Sequence, residues 1–214
     1  MYCNDKSKLL PRPISICGIN PTEGTLRVVY RVAGEGTKEF SEMKAGDTLE
    51  VMGPLGNGFT MKNEKAIIIG GGIGIPPMLE LAKQLDAEKT VVLGYRTSTF
   101  LKEEFEEVCD VKIATEDGSQ GAKGTVIDAI EKYGVEGKVI YACGPMPMLK
   151  ALAAYAEEHG MEAQISLEER MACGIGACLG CICKSKTKDH HTNVNNTRIC
   201  KDGPVFDAKE VVFS

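Results

Sequence analysis

Lys65-Ala66-Ile67-Ile68-Ile69-Gly70-Gly71-Gly72-Ile73-Gly74-Ile75-Pro76-Pro77 decides the fold. Lys65 to Ile69 is a short apolar, β-branched run, the pattern of a strand buried on both faces of a parallel sheet. Glycines follow at 70, 71, 72 and 74, and the pattern beyond them predicts an amphipathic helix to about Leu85. Strand, glycine turn and helix in that order aim backbone N–H groups at an anion, so the stretch is a nucleotide-phosphate site. The match to G-x-G-x-x-G is imperfect, because Pro77 stands where the third glycine would be. Proline near the first helical position is nonetheless a good helix start. The competing reading is a glycine-rich tight turn with no ligand, common in α/β proteins.

Downstream, strands are predicted at 89–95, 111–115 and 138–142, alternating with helices at about 103–108, 124–133 and 145–159. Residues 63–160 therefore read as a doubly wound, parallel-sheet nucleotide-binding domain. The first of these strands ends in Gly94-Tyr95-Arg96, with no acidic residue to hold a ribose 2′-OH, so the residues alone do not separate NAD from NADP. Tyr141-Ala142-Cys143-Gly144-Pro145 closes another strand at the carboxyl edge where α/β ligands bind. Cys143 there is either ligand-facing or a small core residue.

Upstream, residues 1–62 read as a small antiparallel sheet or a piece of a β-barrel. Strands are predicted at 12–19, 25–33 and 47–52, with a turn at Pro21–Gly24, a short helix over Thr37–Met43 and a breaker cluster at Gly53–Gly58. In the second strand Leu26, Val28, Tyr30 and Val32 fall on one face and Arg27, Val29 and Arg31 on the other. Arg12-Pro13-Ile14-Ser15 sets an arginine beside a rigid proline and a hydroxyl, which suits a phosphate and a flavin ring. Four residues alone favour a strand-edge proline with a surface arginine.

Residues 161–214 open with a strand over Glu162–Ser166 and reach Met171-Ala172-Cys173-Gly174-Ile175-Gly176-Ala177-Cys178-Leu179-Gly180-Cys181. Cys173, Cys178 and Cys181 stand at C-x4-C-x2-C spacing and Cys200 follows, the ligand order of plant-type [2Fe–2S] ferredoxins. Each iron takes two thiolates, so one loop must bend three sulfurs inward. Gly174, Gly176 and Gly180 are expected to supply positive φ and close backbone approach. A four-cysteine zinc site usually pairs two short knuckles, and here Cys200 has no near partner. A lone C-x-x-C redox pair would leave Cys173 idle. Cys183, two residues past Cys181, competes as a ligand or packs below the site. Strands are predicted at about 181–185 and 197–200, with a polar exposed loop over 186–196.

The chain has 214 residues, 43% hydrophobic, with a formal net charge of −5. The acidic balance excludes nucleic acid as a partner. Nine cysteines, an odd number, fit reduced cytoplasmic thiols better than a disulfide scaffold. The uncharged run from Ala66 to Leu79 is interrupted by four glycines and two prolines and is too short to span a membrane. The N-terminus carries no signal-peptide pattern, so a soluble intracellular protein is expected. His159, His190 and His191 suggest no chemistry, the adjacent pair reading as solvated. No Ser/His/Asp or paired-carboxylate set stands out, which points to bound cofactors rather than side-chain acid–base catalysis.

In order, Arg12-Pro13-Ile14-Ser15, Gly53-Pro54-Leu55-Gly56-Asn57-Gly58-Phe59, Gly70-Gly71-Gly72-Ile73-Gly74 and Cys143-Gly144-Pro145 resemble the ferredoxin–NADP reductase superfamily. Ser166-Leu167-Glu168-Glu169-Arg170-Met171-Ala172-Cys173-Gly174-Ile175-Gly176-Ala177-Cys178 is narrower. It resembles the electron-transfer subunits of type B dihydroorotate dehydrogenase. The resemblance runs from about residue 8 to the C-terminus. It implies an FAD-binding barrel that holds the flavin with Arg12, Pro13, Ile14 and Ser15, then Val29, Tyr30, Arg31, Gly36 and Thr37. It implies an NAD site at Gly70, Gly71, Gly72 and Gly74 and at Cys143, Gly144 and Pro145. Cys173, Cys178, Cys181 and Cys200 become the [2Fe–2S] ligands. The implied partner is an FMN-containing catalytic subunit, two copies of each forming a heterotetramer. Electrons from dihydroorotate then run from FMN through the cluster and FAD to NAD+, in pyrimidine biosynthesis. The preference for NAD rests on the resemblance alone.

The rival readings are an electron-transfer subunit of another flavin complex, hydrogenase-linked or bifurcating, and a colourless zinc module. The family's barrel opens with strands ahead of this arginine–proline motif, and only eleven residues precede Arg12. The expectation is a barrel incomplete at its N-terminus and a weakly held FAD. The segment between Cys181 and Cys200 is longer than the family pattern, as a surface loop tolerates.

Overall fold

The computed structural model describes residues 1–188 and 193–213. It begins with a hairpin of β1 (Ile16–Asn20) and β2 (Thr25–Val28), followed by α1 (Glu35–Glu42). The doubly wound unit comprises β3 (Ala66–Gly71), α2 (Ile75–Gln84), β4 (Lys89–Tyr95), α3 (Lys102–Glu106), β5 (Asp110–Thr115), β6 (Ala122–Lys123), α4 (Val126–Tyr133), β7 (Val139–Cys143), α5 (Met146–Glu158) and β8 (Glu162–Ser166). Three short strands end the chain: β9 (Ile182–Lys184), β10 (Asn196–Arg198) and β11 (Val205–Asp207).

Seven strands form one sheet in the order β11-β8-β7-β3-β4-β5-β6, parallel except for β11. β3 shows why its isoleucine run is continuous. Ile67 and Ile69 enter the core under α4 and α5, and Ala66 and Ile68 enter the core under α2 and α3. All of them are buried, and each isoleucine contributes about 1.5–3 kcal/mol. α4 starts cleanly because Thr125 Oγ1 accepts from the Asp128 N–H and the Thr125 N–H donates to Asp128 Oδ2 at 2.6 Å. Gly134, at φ 58°, ends it.

The expected strands and helices of 63–160 are present within a few residues, but the sheet does not stop there. β8 continues it in parallel beside β7, and β11 pairs back antiparallel through Val205↔Ser166 to Asp207↔Gln164. The cysteine segment is thus strung between two strands of the nucleotide-binding sheet.

The first sixty residues depart most from expectation. β1 begins at Ile16 rather than residue 12, since Pro11 and Pro13 have no N–H for a ladder. β2 stops at Val28 rather than 33, and residues 47–52 form no strand. A strand persists only while a neighbour takes its backbone bonds. Among the described residues β1 is the sole sheet partner of β2. Residue 50 receives one such bond, from the Tyr2 N–H to Glu50 C=O at 3.0 Å, and Met1 and Arg12 exchange two at 2.8 and 3.0 Å. No barrel closes among the described residues. The face alternation is also reversed in part: Leu26 and Val32 are 61% and 53% exposed, whereas Val29 packs on the core. The hairpin lies against α2 instead. Cys17 is buried, and the Ile19 N–H donates to Glu80 Oε2 at 3.0 Å.

The link from this region into β3 is stitched to the sheet by side chains. Tyr141 Oη accepts from the Lys62 N–H at 2.9 Å and donates to Thr60 C=O at 3.2 Å. Gln164 both accepts from the Thr60 N–H and donates to its C=O, at 2.8 and 2.9 Å. Phe59 meets the Tyr141 ring edge-on at 5.7 Å.

Candidate functional site

Strand order reverses between β3 and β7, the crevice where doubly wound sheets bind ligands. Register places Gly70 beside Cys143. Gly71 ends β3, Gly72–Gly74 form a single 3-10 turn, and α2 begins at Ile75. The two predicted segments are therefore in contact. A Cβ on Gly74 would overlap the Cys143 carbonyl, and one on Gly71 would lie 2.5 Å from Met148 Sδ. Of the four glycines only Gly72, at φ 53°, needs the left-handed region, and a Cβ there would meet open space. The glycines at 70, 71 and 74 serve close packing, which leaves the α2 N-terminus open to an anion. Gly144 and Pro145 lead directly into α5, with Pro145 at its N-cap. Cys143 is buried, and burial pushes its thiol up to about 12, so it behaves as a core thiol rather than a reactive one.

Of the residues expected around the flavin, Arg12, Tyr30, Gly36 and Thr37 meet at α1. The Arg12 guanidinium lies where a Cβ on Gly36 would be, and its Nη1 donates to Lys8 C=O at 3.4 Å and to Leu10 C=O. Thr37 Oγ1 accepts from the Ala33 and Gly34 N–H groups at 2.9 and 3.1 Å. Tyr30 packs edge-on to Phe40 of the same helix at 6.1 Å. Arg31 and Ser15 are exposed, as is Pro13, while Ile14 is half-buried and Val29 touches the core. The corner suits an anionic flavin cofactor: a cation held against a glycine, beside a helix N-terminus. Glu168, from the cysteine segment, reaches the same region. Desolvation raises its pKa and the Arg31 charge opposes the rise.

Cys173, Cys178 and Cys181 share one loop, and the turn carrying Cys200 is bonded to it. Backbone N–H groups point at the sulfurs: Ala177 to Cys173 Sγ at 3.2 Å, Gly176 to Cys200 Sγ at 3.1 Å and Cys200 to Cys181 Sγ at 3.4 Å. The N–H of Ile175, then the N–H and thiol of Cys178, pull the Cys173 pKa down to about 6, favouring the thiolate that binds metal. Burial works oppositely on Cys200 and raises it to about 11. Among the described residues no three or more His, Cys, Asp or Glu side chains form a single metal-holding group. Four thiols in one segment, three of them accepting backbone N–H groups, nevertheless suit a two-iron cluster, in which each iron takes two thiolates.

Loop chemistry corrects one expectation. Gly174 and Gly176 take φ 72° and 81°, but the third left-handed residue is Leu179, at 56°, and not Gly180. Gly180 is small for another reason: a Cβ there would sit 3.4 Å from Cys178 Sγ. Cys183 lies on β9 opposite Thr197 and packs on the core, its thiol raised to about 11 by burial. His159 stacks on Tyr155 at 4.0 Å, while His190 and His191 lie outside the described residues. The sequence reading did not single out Tyr141 and Gln164, whose signal is only a polar group inside apolar strands. It took Gly53–Gly58 as a breaker cluster and a family motif without placing it, and the loop lies against the thiol segment.

Residues 68–154 match the oxidoreductase NAD-binding domain, and residues 168–212 match the iron-sulfur cluster binding domain of dihydroorotate dehydrogenase B. The class is thus an NAD-linked, iron–sulfur oxidoreductase. The chain is 46% identical over 213 residues to a protein of Caldanaerobacter subterraneus named dihydroorotate dehydrogenase B (NAD(+)), electron transfer subunit, covering 99% of this chain and 84% of that one. A protein of the same name from Fusobacterium nucleatum is 44% identical over 219 residues, with 96% and 82% covered. A solved structure described as an NADH-dependent reduced ferredoxin-NADP oxidoreductase, studied for flavin-based electron bifurcation, superposes with a TM-score of 0.83 at 33% identity. The match covers 94% of this chain and 74% of that one. The chain belongs to the family of dihydroorotate dehydrogenase B electron transfer subunits.

Proposed function

We propose that the chain moves electrons from an FMN-containing, dihydroorotate-oxidising catalytic subunit to NAD+, in pyrimidine biosynthesis, within a heterotetramer of two copies of each subunit. The observation that carries this reading is the cysteine segment, with backbone N–H groups on its sulfurs, strung between β8 and β11 of the same sheet whose switch point forms the nucleotide site. When bound, a [2Fe–2S] cluster and FAD supply the one-electron carrier and the one-to-two-electron converter between those ends.

Three segments divide the work: 1–62 for flavin, 63–160 for the pyridine nucleotide and 161–214 for the cluster. Arg12 and Arg31 neutralise the flavin's phosphates, with Gly36 and Thr37 shaping the α1 N-terminus. Pro13, Ile14, Ser15, Val29 and Tyr30 line the flavin. Close packing at Gly70, Gly71 and Gly74 and the open space at Gly72 leave the α2 N-terminus to the nucleotide pyrophosphate, and Cys143, Gly144 and Pro145 wall the nicotinamide end. Cys173, Cys178, Cys181 and Cys200 hold the irons. A cytoplasmic setting is supported by nine free cysteines. No helix among the described residues is long and apolar enough to cross a membrane.

The 33% identity to a bifurcating ferredoxin-NADP oxidoreductase favours one second reading, a subunit of a different flavin complex. Anaerobic purification decides between the readings and the zinc module together. The expected protein is coloured, with about two irons and two sulfides per chain, bound FAD, faster reduction by NADH than by NADPH and a copurifying FMN subunit that oxidises dihydroorotate. Equal or better reduction by NADPH removes the NAD preference, and zinc without sulfide removes the electron-transfer role.

A further inference from the structure

The Gly53–Gly58 loop touches both halves of the thiol site. On one side, a Cβ on Gly174, next to Cys173, would lie 3.4 Å from Leu55 Cδ1 and 3.5 Å from Met52 Cε. On the other side Asn57 spans the turn that follows Cys200. Its Nδ2 donates to the carbonyls of Lys201 and Asp202 at 2.9 and 3.1 Å. Its backbone N–H donates to Gly203 C=O at 2.6 Å, and its C=O accepts from the Val205 N–H at 3.4 Å. Gly56, at φ 73°, presses on the same turn, where a Cβ would lie 2.6 Å from Gly203 O and 2.8 Å from Pro204 Cδ. Immediately downstream, Thr60 and Lys62 are fixed to the sheet by Gln164 and Tyr141. The loop is therefore an arm bonded at both ends, with the loop of Cys173 on one side and the turn after Cys200 on the other.

We propose that Asn57 is a positioning residue for the metal site. It fixes the turn that carries Cys200 relative to the loop that carries Cys173, Cys178 and Cys181, and so sets the geometry and electronic environment of the cluster those four thiols would hold. The inference rests on the [2Fe–2S] reading above. The chemistry is specific to a carboxamide. Two carbonyls at one point need two N–H donors on one nitrogen, which Asn and Gln possess and Asp lacks. Asn57 is exposed, so its loss leaves carbonyls that water can reach. The chain then still folds, and the effect falls on the placement of the turn.

The test compares anaerobically purified wild type with Asn57→Asp, Asn57→Ala and Asn57→Gln. It reads iron and sulfide content, visible circular dichroism, the electron paramagnetic resonance of the dithionite-reduced protein, the reduction potential, the rate of iron loss to a chelator and the thermal midpoint. Asn57→Asp and Asn57→Ala should shift the resonance, dichroism and potential and lose iron roughly tenfold faster, as two missing hydrogen bonds imply. Their thermal midpoints should stay near wild type, and Asn57→Gln should restore most of the signature. Spectra, potential and iron release unchanged in Asn57→Asp and Asn57→Ala would overturn the proposal, as would a Gln variant as perturbed as the Asp one. A wild type without iron and sulfide would overturn the cluster reading itself, before any variant is compared.

Discussion

Cys200 and Cys183 carry the same side chain and take different places. Cys200 Sγ accepts the Gly176 N–H and the Cys200 N–H donates to Cys181 Sγ, whereas Cys183 is packed on the core from β9. Cys200→Ser should therefore abolish or change the visible spectrum of the anaerobic protein, and Cys183→Ser should leave iron and sulfide content intact. The reverse outcome would reassign the fourth ligand. The glycine turn offers a second contrast. Gly72→Ala meets open space and incurs only the left-handed penalty, roughly 1–2 kcal/mol. Gly74→Ala drives a methyl into the Cys143 carbonyl with no flexible neighbour to give way. Gly74→Ala should lower the thermal midpoint further and weaken NADH binding more, as titration of the cofactor-loaded protein would measure.

Between the elements, the link from 59 to 62 has no regular structure but is bonded to the sheet. It adds no strand, yet Tyr141 and Gln164 supply the bonds a neighbouring strand would. Tyr141→Phe keeps the ring packed on Phe59 and removes one donor and one acceptor, leaving the Lys62 N–H and Thr60 C=O to find water. The expected cost is about 1–2 kcal/mol by chemical denaturation, with the far-ultraviolet spectrum unchanged. A neutral result would mean that Gln164 alone holds the link. The parallel strands and their helices were legible in sequence because a two-sided sheet writes continuous apolar runs with glycine and proline punctuation. The upstream strands were less so: Leu26, Val28, Tyr30 and Val32 alternate as a strand should, but among the described residues the run has no strand partner past Val28.

At the scale of the whole molecule, the loop carrying Cys173, Cys178 and Cys181 is also where apolar side chains face outward. Ile175 is 55% and Leu179 54% exposed, with Leu55 close by on the facing loop at 47%. Leu179 keeps that exposure in a left-handed backbone that a leucine seldom adopts. We expect the catalytic subunit to cover this rim. Leu179→Asn tolerates the left-handed backbone and removes the apolar bulk. It should leave the iron content unchanged while weakening association with the partner by about tenfold, as loss of a central apolar anchor does. Sedimentation of the mixed subunits measures it, and unchanged association would place the interface elsewhere.

The sequence by itself determined the doubly wound sheet, the glycine turn beneath a helix and four cysteines in ferredoxin order, because each is a local pattern fixed by side-chain period, backbone freedom or ligand spacing. Only the tertiary structure decided which residues meet across the chain: Gly74 under Cys143, Gly56 and Asn57 against the turn after Cys200, and β11 closing the sheet beside β8. These contacts join residues from about forty to a hundred and fifty positions apart. The chain's local preferences leave no mark of such pairings, since packing and hydrogen bonding act on whatever the fold brings within a few ångströms.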